Sequence, residues 1–148
     1  MLKLSLIGAG LIAVTVVIHA LGTTALVRFL ATRFLNEEGK RGSRRVLAAL
    51  TSAAVFLVFL HVVQIIIWAI AYKALIPVGE LANFEAAVYF SFVTFTTLGY
   101  GDIVLSEVYR LLSGIQALNG LLLVGWSTAL MFSIVQHVWQ GFGKHRPH

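Results

Sequence analysis

Residues 96–102 read T-T-L-G-Y-G-D, a stretch in which two glycines alternate with side chains that point away from a common side. In that arrangement the backbone carbonyls of Thr97, Leu98, Gly99 and Tyr100 turn the same way and make a column of oxygen dipoles. Ordinary L-residues avoid the left-handed backbone angles such a column needs, and glycine takes them at little steric cost, which gives Gly99 and Gly101 a physical reason to be there. The chemistry of the column is cation binding, because a dehydrated cation needs oxygen ligands in place of its water. A plain glycine-rich turn is the competing reading of G-Y-G, and it is disfavoured by the long apolar segments on either side.

Those segments set the class of the protein. Of 148 residues 59% are hydrophobic and 11% charged, with a mean hydropathy of +0.90, far from the balance of a soluble domain. The chain reads as an all-α membrane protein. It has no cysteine, which excludes disulfides and thiolate metal sites. The net charge of +5 does not indicate nucleic acid, since the basic residues cluster at the ends of apolar runs rather than on a face with interleaved aromatics.

Three runs are long enough to span a bilayer, which takes about 20 apolar residues. The first lies within residues 1–32, interrupted mainly by His19 and Arg28. It exceeds the length of a signal-peptide core and lacks a clear small-x-small cleavage site. Residues 33–45 carry five Lys or Arg and form a basic loop. By the positive-inside rule this loop is cytoplasmic and the N-terminus outside; recognition of anionic lipid is a second reading of the cluster. The second span is expected over 46–72, with His61 and Gln64 three residues apart on one face. Residues 74–83, with Pro77 and Gly79, read as an extracellular connection. Residues 84–95 are too few to span and suit a half-membrane helix that enters and returns, whose C-terminal partial negative charge favours a cation. The third span is expected over 108–136, with a short cytoplasmic tail at 138–148. Gly114, Gly120 and Gly125 interrupt it, either for close helix packing or as a hinge.

On these residues the chain resembles the tetrameric potassium channel family, whose filter is usually T-V-G-Y-G; Leu98 is the departure. The resemblance covers about residues 46–136, with 46–72 as outer helix, 84–95 as pore helix, 96–102 as selectivity filter and 108–136 as inner helix. It implies a homotetramer in the lipid bilayer of the plasma membrane, in which four filter strands surround K⁺, the permeant ligand, at Thr97, Leu98, Gly99 and Tyr100. Thr96, Gly101, Asp102 and Tyr89 support the filter, with Asp102 bonding the pore-helix aromatic Tyr89. Some family members have a buried glutamate where this chain has Val93. No cofactor, small-molecule substrate or enzyme activity is expected. The alternatives are a weakly selective monovalent cation channel and a potassium-uptake transporter subunit, the latter disfavoured because such proteins resemble four degenerate repeats in one chain. Glu80, Glu85, Asp102 and Glu107 fall on the expected outer side, where they read as a negative vestibule or as solvated loop charge, the latter being the preferred reading of Glu80. No series of arginines at every third position indicates a voltage sensor. His19 and His61 lie inside expected spans. They are read either as neutral groups hydrogen-bonded between helices or as proton sensors.

Overall fold

The computed structural model describes residues 2–35, 43–77 and 81–143. Helix α1 spans Leu2–Leu30 and continues as a π-helical turn over Ala31–Leu35; α2 spans Ser43–Leu75, α3 Phe84–Phe95 and α4 Glu107–Gly143. Among the described residues, α1, α2 and α4 are long and apolar enough to cross a membrane, and α3 is not. The protein is an all-α integral membrane protein. In hydrocarbon the backbone must satisfy its own hydrogen bonds, and the helix does so within one segment.

The ends of α2 and α4 run past the apolar stretches that announce them. α2 begins at Ser43 and ends at Leu75 instead of covering 46–72, and α4 reaches Gly143 instead of ending at 136. Helical hydrogen bonding does not stop where hydrophobicity stops, so Arg44, Arg45 and Lys73 are helical too. Most of the basic loop and Lys144 and Arg146 of the tail lie outside the described residues, as do Gly79 and Glu80.

α3 keeps the bounds expected from sequence because its start is chemically marked. Asn83 is extended (φ −141°, ψ 179°), and its side-chain oxygen accepts the Ala86 N–H at 2.8 Å, capping the helix, while Glu85 places a negative charge in the first turn. Lys73 donates to the Leu81 carbonyl at 3.1 Å and ties the end of α2 to the chain entering α3.

α1 buries a single stripe, Gly8, Thr15, His19, Thr23, Leu26 and Leu30, against α2 and α4, and leaves Leu6, Val14, Val17 and Leu21 exposed. Its glycines allow the approach: a methyl on Gly22 would lie 2.8 Å from a Leu60 methyl, and one on Gly8 would lie 3.0 Å from Ile115. The stripe threonines satisfy their hydroxyls locally, Thr15 donating to the Leu11 carbonyl and Thr23 to that of His19, each at 2.8 Å. Around α3 the core is Trp68, Tyr72, Ala87, Phe90, Leu105 and Leu112; at the other end of the spans Leu26, Leu30, Ala53, Leu57 and Ile134 pack together. α3 is thereby wedged between α2 and α4, with its C-terminus aimed at residues 96–102.

Candidate functional site

The 96–102 segment begins as the termination of α3. The Thr97 N–H bonds the Thr94 carbonyl and the Leu98 N–H bonds the Val93 carbonyl, each at 3.0 Å; the Gly99 N–H also reaches Val93, at 3.3 Å. This pair of bonds is a Schellman ending, whose left-handed residue is usually glycine. Here it is Thr97, at φ 58°. A left-handed β-branched residue costs on the order of 1–3 kcal/mol and persists only where its surroundings hold it. Thr96, the cap residue, is tied back by its hydroxyl to the Phe92 carbonyl at 2.8 Å.

Beyond Thr97 the left-handed conformation recurs at Gly99 (φ 58°) and Gly101 (φ 78°), while Leu98 and Tyr100 keep negative φ. An extended strand points successive carbonyls to opposite sides, and an alternation of hand is what a one-sided run of carbonyls needs; the sign of φ alternates in this way from Thr97 to Gly101. A Cβ added at Gly99 or Gly101 would meet nothing within 4 Å, so backbone conformation and not crowding demands glycine there. Leu98 and Tyr100 are exposed in the single chain, at 56% and 67%.

At the far end of the segment the Tyr89 hydroxyl donates to Asp102 Oδ2 at 2.6 Å, bringing together the two residues paired from sequence. That bond holds the Asp102 carboxyl below the usual carboxylate range and pushes the Tyr89 phenol up. A groove of about 340 Å³ lies between α3, this segment and α4, lined by Tyr89, Val93, Gly99, Asp102, Ser113 and Gly114 among others.

The three glycines of α4 separate. Gly120 packs face-on against the last residue of α3: a Cβ there would lie 2.8 Å from the Phe95 carbonyl carbon and closer still to its oxygen. Gly114 and Gly125 would meet nothing within 4 Å.

The two histidines meet. Their rings stack at 5.5 Å, and Gln64 lies between them, with Nε2 3.1 Å from His19 Nδ1 and Oε1 3.1 Å from His61 Nδ1. Ser127 Oγ closes the circuit, 3.0 Å from His61 Nε2 and 3.4 Å from His19 Nε2. Gln64 donates to His19 Nδ1 and accepts from the His61 Nδ1–H, which leaves the His19 Nε2–H to donate to Ser127 and the Ser127 hydroxyl to donate to His61 Nε2. The ring joins α1, α2 and α4. It abuts Phe95, whose ring centroid is 5.6 Å from that of His61, and Trp126, edge-on to His19 at 5.4 Å.

Ser127, and the Ser91 and Gln116 that bond with Tyr72 in a buried network, were not singled out from sequence. A usable signal was present, since Gln116, Asn119 and Ser127 are polar positions inside an apolar span, and such groups face protein or water, not lipid. Comparison with curated proteins and with solved structures found no match. Residues 47–137, more than half of the chain, match the family model described as an ion channel, a two-helix transmembrane domain, and the chain belongs to that ion channel family.

Proposed function

We propose that four copies of the chain surround one axis in the plasma membrane and form a potassium-selective channel, with the N-terminus outside and the C-terminus cytoplasmic. Passive ion conduction follows from the family. The observation that carries the potassium reading is the alternating hand of the backbone at Thr97, Gly99 and Gly101, which is what a one-sided run of carbonyls needs. One strand coordinates a cation from one direction only; four complete the shell. Thr97 adds its hydroxyl at the inner end, and the Tyr89–Asp102 bond braces the outer end. The test is purified protein in liposomes with potassium on one side and sodium on the other. The reversal potential is expected to lie near the potassium equilibrium value. Currents that reverse near zero identify a weakly selective cation channel instead.

We also propose that His19 and His61 make conduction responsive to protons. Their ring closes only with both imidazoles neutral, each giving one donor and one acceptor, so a further proton sets donor against donor and opens a contact. The groups facing the pair are Gln64 from α2, Ser127 and Trp126 from α4 and Phe95 from α3. Residues 4–27, 46–72 and 111–136 contain no Asp, Glu, Lys or Arg, and α3 holds only Glu85 and Tyr89, remote from Phe95. A released ring alters gating only if open and closed states hold it differently, with Gly114 and Gly125 yielding as α4 moves. Open probability is expected to change toward the acidic end of a titration from about pH 8 to about pH 5.5, the side on which an imidazole gains its proton, and His19→Gln and His61→Gln are expected to blunt that change. Identical pH responses in parent and both variants remove these histidines as sensors.

A further inference from the structure

We infer that Gln116 is a positioning residue: its carboxamide sets the register of α3 against α4 and α2 and thereby the placement of the filter that begins one residue after α3. The inference rests on the reading of residues 96–102 as the filter.

Gln116, Ser91 and Tyr72 are each fully buried, at 0% exposure, in the apolar interior of the span. Gln116 Nε2 donates to the Ser91 carbonyl at 3.2 Å and to Ser91 Oγ at 2.6 Å. Ser91 Oγ in turn donates to the Ile65 carbonyl of α2 at 2.8 Å, and Tyr72 Oη donates to Gln116 Oε1 at 2.7 Å. The directions leave no freedom. Two of the acceptors are backbone carbonyls, which cannot donate, so the amide cannot be turned over and Ser91 cannot reverse its hydroxyl. One side chain of α4 is therefore bonded directly to Ser91 of α3 and to Tyr72 of α2, and the Ser91 hydroxyl carries the chain on to the Ile65 carbonyl of α2, about two turns from Tyr72.

The contact at Gly120 makes this a register and not an isolated bond. The same 25-residue offset separates Gln116 from Ser91 and Gly120 from Phe95, so α3 and α4 run in step over a full turn. Gly120 sets how closely the helices approach, because a bare backbone meets the Phe95 carbonyl. It does not prevent sliding or rotation of one apolar surface over the other. The carboxamide does, since displacement leaves buried donors and acceptors unpaired where water does not replace them. A helix transmits such a displacement undiminished to its end. Phe95 is followed directly by Thr96 and by Thr97, whose left-handed backbone depends on bonds to Val93 and Thr94 of the same helix.

The test compares Gln116→Met, which keeps length and removes the hydrogen bonds, with Leu112→Ala, which empties a fully buried site in the same core and leaves every polar atom of the network in place. Tetramers of each are isolated, their melting temperature is recorded, and unitary conductance and the potassium-to-sodium permeability ratio are measured in planar bilayers. Gln116→Met is expected to lower the permeability ratio at least tenfold, and Leu112→Ala to lower the melting temperature while leaving ratio and conductance at parental values. If Gln116→Met does not assemble, Ser91→Ala, which removes the two bonds at the Ser91 hydroxyl, is expected to lower the ratio in the same sense. Parental ratio and conductance in the Gln116 and Ser91 variants overturn the inference, as does an equal loss in Leu112→Ala, which would mark a general effect of instability. A parent that conducts without selectivity overturns the potassium reading alone. The register is then judged on unitary conductance, which must still fall in Gln116→Met and not in Leu112→Ala.

Discussion

Gly120→Ala is expected to abolish conduction and to lower the melting temperature of the assembly, although alanine is the better helix former by about 1 kcal/mol. The added methyl meets a backbone carbonyl, that of Phe95, and not the end of a flexible side chain. Carbon and carbonyl oxygen normally approach to about 3.3–3.6 Å, so α3 and α4 must separate by on the order of 1 Å. That separation also stretches the bonds from Gln116 to Ser91, which have no slack at 2.6 and 3.2 Å. Overpacking typically costs about 1–3 kcal/mol at one site, and the substitution is repeated in every copy. Gly114→Ala and Gly125→Ala are the comparison, because in the single chain their methyl groups enter open space. Scanning fluorimetry and liposome flux on the three variants decide the matter: a Gly120→Ala protein as stable and conductive as Gly125→Ala would show that the two helices do not need this contact.

Gly99→Ala is expected to reduce potassium selectivity by more than tenfold while leaving the fold intact. The space around Gly99 is open, so the penalty is conformational: an L-residue at φ 58° costs about 1–2 kcal/mol. In the proposed tetramer the four strands together raise that to on the order of 4–8 kcal/mol against the aligned arrangement. The spans are untouched, because the strain is relieved by rotating one peptide, which swings a carbonyl out of the column. Thr97 shows why a neighbouring left-handed residue escapes this fate. It has the same φ, but its N–H and the two that follow are bonded to the end of α3. Gly99 is the last residue so held, and its own carbonyl has no such tether. Reversal potentials under opposed potassium and sodium gradients, paired with circular dichroism of the same preparation, read both halves of the expectation. Undiminished selectivity would mean that the alignment of carbonyls at this residue does not set it.

Much of the candidate site was legible because its causes are local. The glycines of 96–102 and the short reach of 84–95 are properties of adjacent residues, and the structure places α3 at Phe84–Phe95 with Asn83 as its cap. The pairing of Tyr89 with Asp102 was expected by resemblance and is made at 2.6 Å. Even the bond between His61 and Gln64 follows from helical geometry, which sets residues three apart side by side. The helix ends were less legible, since in a membrane protein hydropathy marks where lipid contact ceases and not where backbone hydrogen bonding does.

What the sequence alone determines about this protein is therefore its local chemistry: three apolar spans, one half-length helix, and a loop whose glycines at 99 and 101 take left-handed angles. Only the tertiary structure decides who meets whom across the bundle. His19 finds Gln64 at a separation of 45 residues, Gln116 finds Ser91 at 25, Thr15 finds Asn119 at 104, and Ser127 reaches both histidines. The physical reason is that a soluble helix advertises its buried face by contrast with a polar one, whereas a helix in lipid is apolar on every side. The polar residues are visible in the sequence, but the register and rotation that pair them arise from packing: Gly8 and Gly22 letting α1 approach its neighbours, and Gly120 letting α4 close on Phe95.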